Sequence, residues 1–109
     1  MPERQDSGAH ASLFAALGDE TRLRLLTRLA TGPASISHLA EGSGITRQGV
    51  TKHLRVLARA GLVRGRRRGK QSVWQLERSR LDEAKRLLEL ISKRWDVALG
   101  KLKLYVEEQ

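Results

Sequence analysis

Arg47, Gln48, Thr51 and Lys52 fall within about one and a half turns of one another on any helix that contains them. Their types suit the edges of base pairs. A guanidinium donates two parallel hydrogen bonds to guanine, a carboxamide pairs with adenine, and a threonine methyl rests against the thymine methyl. Lys52 can join this base-reading set or hold a phosphate. Arg55 and Arg59 continue the same outward face and suit phosphates, and Thr46 and His53 are placed for backbone contact. Other chemistries find little support. With no Cys there is no thiolate metal site, disulfide or thiol nucleophile. The histidines are His10, His38 and His53. His53 lacks nearby ligands, and His38 with Glu41 reads as a polar surface pair. No Ser-His-Asp set or carboxylate pair stands out, and Asp82 and Glu83 read as partners of a helix dipole. No catalytic residue, metal site or cofactor is therefore expected.

Charge sharpens this reading. The 109 residues carry 21 Lys and Arg against 12 Asp and Glu, a net +9. Residues 1–45 have a net charge of −1 and residues 73–109 of +1. The excess lies in residues 46–72, which hold Arg47, Lys52, Arg55, Arg59, Arg64, Arg66, Arg67, Arg68 and Lys70 and no acid. A cationic window this one-sided is a footprint for a polyanion.

These side chains need elements to position them. Residues 1–8 read as a disordered tail, and residues 9–109 as one domain. A short helix over 9–17 ends at Gly18. Asp19 caps the next, over 20–31, whose apolar stripe is Leu23, Leu26, Leu29 and Ala30. Gly32-Pro33 stops it. Ser35 caps a short third helix to Glu41, and Gly42-Ser43-Gly44 is a turn. Thr46 then caps a fourth helix to Ala60, with Ile45 and Val50 spaced as a hydrophobic staple. Val50, Leu54 and Leu57 face inward. Residues 62–66 read as a strand, Arg67-Arg68-Gly69-Lys70 as a turn, and 71–77 as the returning strand. The hairpin is a basic wing tipped by Arg66, Arg67, Arg68 and Lys70.

A last helix starts at Ser79 and runs to about residue 107, roughly 43 Å. Its apolar positions Leu81, Ala84, Leu88, Ile91, Trp95, Ala98, Leu102 and Tyr105 alternate steps of three and four, as a heptad seam does. Leu87, Leu90, Leu99 and Val106 widen the stripe beyond what a small domain covers by itself. Homodimerisation through this helix is therefore expected, with Leu88, Ile91, Trp95, Ala98, Leu102 and Tyr105 at the contact. Trp74 and Trp95 read as core or dimer anchors.

A short helix, a glycine turn, a helix with a polar outer face and a basic hairpin follow in the order of a winged helix-turn-helix. The run from Phe14-Ala15-Ala16-Leu17-Gly18-Asp19-Glu20-Thr21-Arg22 to Leu26 resembles the opening signature of ArsR-type winged-helix repressors. So do Ser35-Ile36-Ser37-His38-Leu39-Ala40, the segment from Thr46 to Leu57, and Ala60-Gly61-Leu62-Val63. The resemblance covers about residues 11–77. It implies a homodimeric bacterial transcription factor, usually a repressor of its own operon, whose first and last helices dimerise, which adds Leu13 and Phe14 to the expected contact. Metal sensors of that family often carry Cys-x-Cys in the third helix, where this chain has Ser35 and Ser37. Others place Asp and His along the last helix, where Asp82 is followed by no His. The resemblance is therefore to the Cys-free branch, and no metal effector is expected.

The expected fold is mainly α with a small β-hairpin, in the order α-α-α-α-β-β-α. The expected partners are double-stranded DNA at an inverted repeat and a second copy of the chain. The other reading is a winged-helix module that binds RNA, or binds nucleic acid or bridges proteins without reading bases. The apolar runs are too short to span a membrane, and residues 1–7 lack a signal-peptide core, so a cytoplasmic place is expected. The sequence names no effector ligand.

Overall fold

The computed structural model describes residues 2–108. Five helices and three strands follow in the order α1 (Pro2–Leu17), α2 (Glu20–Leu29), β1 (Ala34–Ser35), α3 (Ile36–Ala40), α4 (Arg47–Arg59), β2 (Val63–Arg68), β3 (Gln71–Leu76) and α5 (Arg78–Glu108). This is the expected mainly helical fold with an antiparallel hairpin. Three hydroxyl or carboxylate caps set the helix starts. Asp19 Oδ2 accepts from the Arg22 amide at 3.0 Å, Ser35 Oγ from that of His38 at 3.1 Å, and Thr46 Oγ1 from that of Gly49 at 3.0 Å.

Besides small shifts at other helix and strand ends, four differences from the sequence expectation stand out. First, α1 begins at Pro2, so residues 2–8 continue the helix where a tail was expected. Proline tolerates the first helical position, since its missing N–H has no partner there. Second, Ala34 and Ser35 form a short strand against β3, pairing with Trp74 and Val73, so the hairpin is part of a three-stranded sheet ordered β1-β3-β2. Third, β2 extends through Arg68, and the turn shrinks to Gly69-Lys70. Gly69 has φ +62 while Lys70 stays negative, the geometry of a two-residue hairpin turn with glycine first. Fourth, α5 starts at Arg78, which places Ser79 inside the helix and not at its cap.

The core is built from Leu13, Leu39, Val50, Leu54, Leu57 and Leu62, all fully buried, with Leu25, Leu29 and Val63 around them. The inward face of α4 is the one its spacing predicts. Leu13 is a correction. It was expected at the dimer contact, yet it has no exposed surface within its own protomer. Phe14 beside it is half-buried against the same core. The end of α4 is closed by a Schellman motif. The Leu62 amide donates to Leu57 O at 2.9 Å and the Gly61 amide to Ala58 O at 3.0 Å, with Gly61 at φ +77. The chain thus leaves α4 directly into the wing.

The last helix contributes little to this core. Ala84 is its one buried side chain, and every residue from Leu88 to Glu108 is exposed in the single protomer. Its 31 residues span about 46 Å. The molecule is accordingly elongated, 68 Å in its longest direction. Its radius of gyration is 18.5 Å, against about 13 Å for a compact chain of this size. No helix among the described residues is long and apolar enough to cross a membrane.

Candidate nucleic-acid interface

The start of α4 is held by close packing. Thr46 caps it, and Ile45 folds back over Gly49 so closely that a Cβ there would lie 2.7 Å from Ile45 Cγ2. This fixes where Arg47 and Gln48 leave the helix. Along α4, Gln48, Lys52, Arg55 and Arg59 are exposed in steps of four, three and four, which makes one continuous outward row. Arg47 is exposed at the first position. Thr51 Oγ1 donates to Arg47 O at 2.9 Å, so the hydroxyl is occupied and the methyl is what this residue can offer a base.

The hairpin stands beside this row. A concave cleft of about 860 Å³ lies between them, lined by α4 from Thr46 to Arg55, by Lys70, Gln71 and Ser72 of the wing, and by Ser35, Ile36 and Ser37. Sequence reasoning missed Ser37, Gln71 and Ser72 as cleft residues. Ser37 was weighed only as a replacement for a thiolate, and Gln71 and Ser72 are brought in by the register of β3. In the wing, Arg66 pairs with Val73, Arg67 with Ser72 and Arg68 with Gln71. Side chains alternate across a strand, so Arg66 and Arg68 share one face while Arg67 takes the other, with Gly65 and Trp74. Trp74 lies against Gly65, where a Cβ would meet its ring at 3.1 Å. Arg66, Arg67, Arg68 and Lys70 are all exposed.

The charge of this region is uncompensated. Among the described residues, only Arg64 of the nine cations in 46–72 has an ion pair, to Glu77 at 3.2 Å. The other eight lack a carboxylate partner, so their field is available to a polyanion.

His53, expected at the backbone of a nucleic acid, is also engaged within its own protomer. It points into the junction of α1, α2 and α4, with Nδ1 3.5 Å from Arg22 Nη1 and 3.9 Å from Asp19 Oδ2. Its position between the inward and outward faces of α4 explains this, since the Arg22 guanidinium fills that side. The amide and charge of Arg22, with His53 beside them, hold the Asp19 carboxyl below its ordinary value. Glu83 is lowered likewise, chiefly by its hydrogen bond from Arg80. Among the described residues no three His, Cys, Asp or Glu side chains gather as a metal-binding group.

A helix-turn-helix domain family matches residues 17–66. The chain is similar to the HTH-type transcriptional regulator NmtR of Mycobacterium tuberculosis, 39% identical over 74 residues, which are 68% of this chain and 62% of that protein. An ArsR-like transcriptional regulator from Rhodococcus sp. RHA1 shares the structure with a TM-score of 0.78 and 36% identity, over 91% of this chain and 93% of the other. A homodimeric winged helix-turn-helix DNA-binding domain from Mycobacterium bovis, described as a possible ArsR-family regulator, aligns with a TM-score of 0.68 and 25% identity, over 89% and 87%. The chain spans 60–64% of the length of the first curated relatives it matches.

Proposed function

The chain belongs to the ArsR-like family of helix-turn-helix transcriptional regulators, and from that premise we propose that it is a homodimeric repressor that reads an inverted-repeat operator in double-stranded DNA. The observation that carries this is one cleft in which Gln48, Lys52 and Arg55 of the exposed row face Lys70, Gln71 and Ser72 of the wing, with no acid among its lining residues. Arg47, Gln48, Thr51 and Lys52 read base edges in the major groove from the first turns of α4. Arg55 and Arg59 hold phosphates, and the wing cations take the flanking backbone or minor groove. Ser37, Gln71 and Ser72 add neutral donors at the cleft wall. Dimerisation through α1 and the free length of α5 presents two such clefts, related by a two-fold axis, to successive turns of one duplex face. The chain acts by binding and not by catalysis, in the cytoplasm, where a bacterial operator lies.

Selection of bound fragments from a random duplex pool tests the reading. The expected result is enrichment of an inverted repeat whose half-site centres lie about one helical turn, or a multiple, apart. A pool that stays random, or tighter binding to structured RNA than to any recovered duplex, overturns it.

A further inference from the structure

Two arginines outside the cationic window join the dimer helices to the reading helix. Arg22 sits in the first turn of α2, and its guanidinium reaches three ways. Nε donates to Ala16 O at 2.7 Å and Nη2 to Ala15 O at 3.2 Å, which satisfies carbonyls in the last turn of α1. Nη1 lies 3.5 Å from Nδ1 of His53, midway along α4. Arg80 sits in the first turn of α5. Its Nε donates to Ala60 O, at the carbonyl end of α4, at 3.1 Å. Its stem packs beneath Gly61, where a Cβ would lie 3.0 Å from Arg80 Cγ. Its Nη1 donates to Glu83 at 2.6 Å, and Glu83 in turn meets His10 Nε2 of α1 at 3.2 Å. One arginine therefore ties α1 to the middle of α4, and the other ties α5 and α1 to its end, at the joint with the wing.

We propose that Arg22 and Arg80 are positioning residues that fix the attitude of α4 to the dimer helices, and so set the half-site spacing the dimer accepts. The inference rests on the DNA-reading function proposed above. Inserting one base pair between half-sites moves their centres apart by about 3.4 Å, which a symmetric dimer shares as about 1.7 Å per protomer, together with a twist. Hydrogen bonds of 2.7 and 3.1 Å do not survive that displacement. With both links in place the dimer must reject the longer site or break them.

The test uses the full chain, the inverted repeat recovered by selection, and the same repeat with one base pair inserted. Arg22→Lys and Arg80→Lys are combined. Lysine keeps the cation at each helix end but presents one ammonium in place of the planar fork that serves several acceptors at once. Arg28→Lys is the control. Arg28 donates to Leu39 O and His38 O, both at 3.0 Å, and so ties α2 to α3 without touching the dimer helices. The unmodified chain should bind the lengthened site at least about tenfold more weakly than the native one. The double variant should bring that ratio within about threefold, with an unaltered salt slope because no phosphate contact is lost. Arg28→Lys should weaken both sites alike and keep the ratio. A double variant that discriminates as steeply as the unmodified chain, or an Arg28→Lys variant that flattens the ratio equally, overturns the proposal. A shallower salt slope does so too, because it would make these arginines phosphate contacts. If the unmodified chain selects no inverted repeat, it is the DNA-reading function itself that has failed.

Discussion

A methyl group added at Gly49 would meet Ile45 Cγ2 at 2.7 Å and Thr46 Oγ1 at 3.2 Å. In an open helix, alanine gains about 1 kcal/mol over glycine. Here the neighbour is β-branched and stiff at χ1, and crowding of this kind costs about 1–3 kcal/mol. Crowding therefore wins, and it acts at the turn that carries Arg47 and Gln48. Gly49→Ala should melt at or below the temperature of the unmodified chain and bind its operator less tightly, while Ile45→Ala combined with Gly49→Ala should recover binding. Thermal melts and operator titrations check both. A Gly49→Ala variant that melts higher with full affinity would show that Ile45 swings aside freely. At this scale the caps were legible in the sequence, because Asp19, Ser35 and Thr46 each bond an amide three residues on. His53 was not legible, because its partner Arg22 lies 31 residues away and only the fold brings them together.

At the scale of elements, the roles proposed for α4 and the wing predict different failures. If about four cations per protomer touch phosphates, a dimer neutralises about eight charges, and the logarithm of affinity should fall with that of salt at a slope near −7. Arg67→Ala should weaken operator and random duplex alike and make the slope shallower, because a wing contact to phosphate carries little sequence information. Gln48→Ala should cost about 1–3 kcal/mol on the operator, little on random DNA, and leave the slope nearly unchanged. Titrations of both variants at several salt concentrations decide this. Equal losses on both DNAs for Gln48→Ala would mean that α4 does not read bases. The contrast could be drawn from sequence because heptad-like spacing placed Val50, Leu54 and Leu57 inward and so left Gln48, Lys52, Arg55 and Arg59 outward. What spacing could not show was β1. Two residues carry no period, and Ala34 and Ser35 become a strand only because β3 offers them a free edge. The same edge brings Ser35 and its neighbours to the wing side of the cleft.

At the scale of the whole molecule, the apolar residues divide by where they find cover. Leu13 is fully buried in its own protomer, while Trp95 is 63% exposed there and Leu102 58%. Exposed apolar residues recur along α5 as far as Val106, more than a soluble monomer leaves uncovered. Sequence periodicity identified this surface, and the resemblance to ArsR-type repressors assigned Leu13 to it as well, since an apolar stripe on a short helix does not reveal which body covers it. The two positions therefore predict opposite failures. Leu13→Ala removes core packing and should lower the unfolding free energy by about 2–5 kcal/mol. Trp95→Ala removes nothing the single protomer relies on, so its melting as a monomer should hardly change. Its cost should appear in association, where truncating a tryptophan buried between copies takes about 3–5 kcal/mol, roughly two to four powers of ten in the dissociation constant. Sedimentation equilibrium across micromolar concentrations, with melts of the same samples, separates the two. An unmodified chain that sediments as a monomer at micromolar concentration, or a Trp95→Ala variant that stays dimeric while its protomer melts early, would place the cover of α5 somewhere other than a second copy. DNA binding follows the same division. Without the dimer each cleft binds one half-site alone, so Trp95→Ala should lose the preference for an inverted repeat over an isolated half-site while Gln48 and Arg67 remain intact.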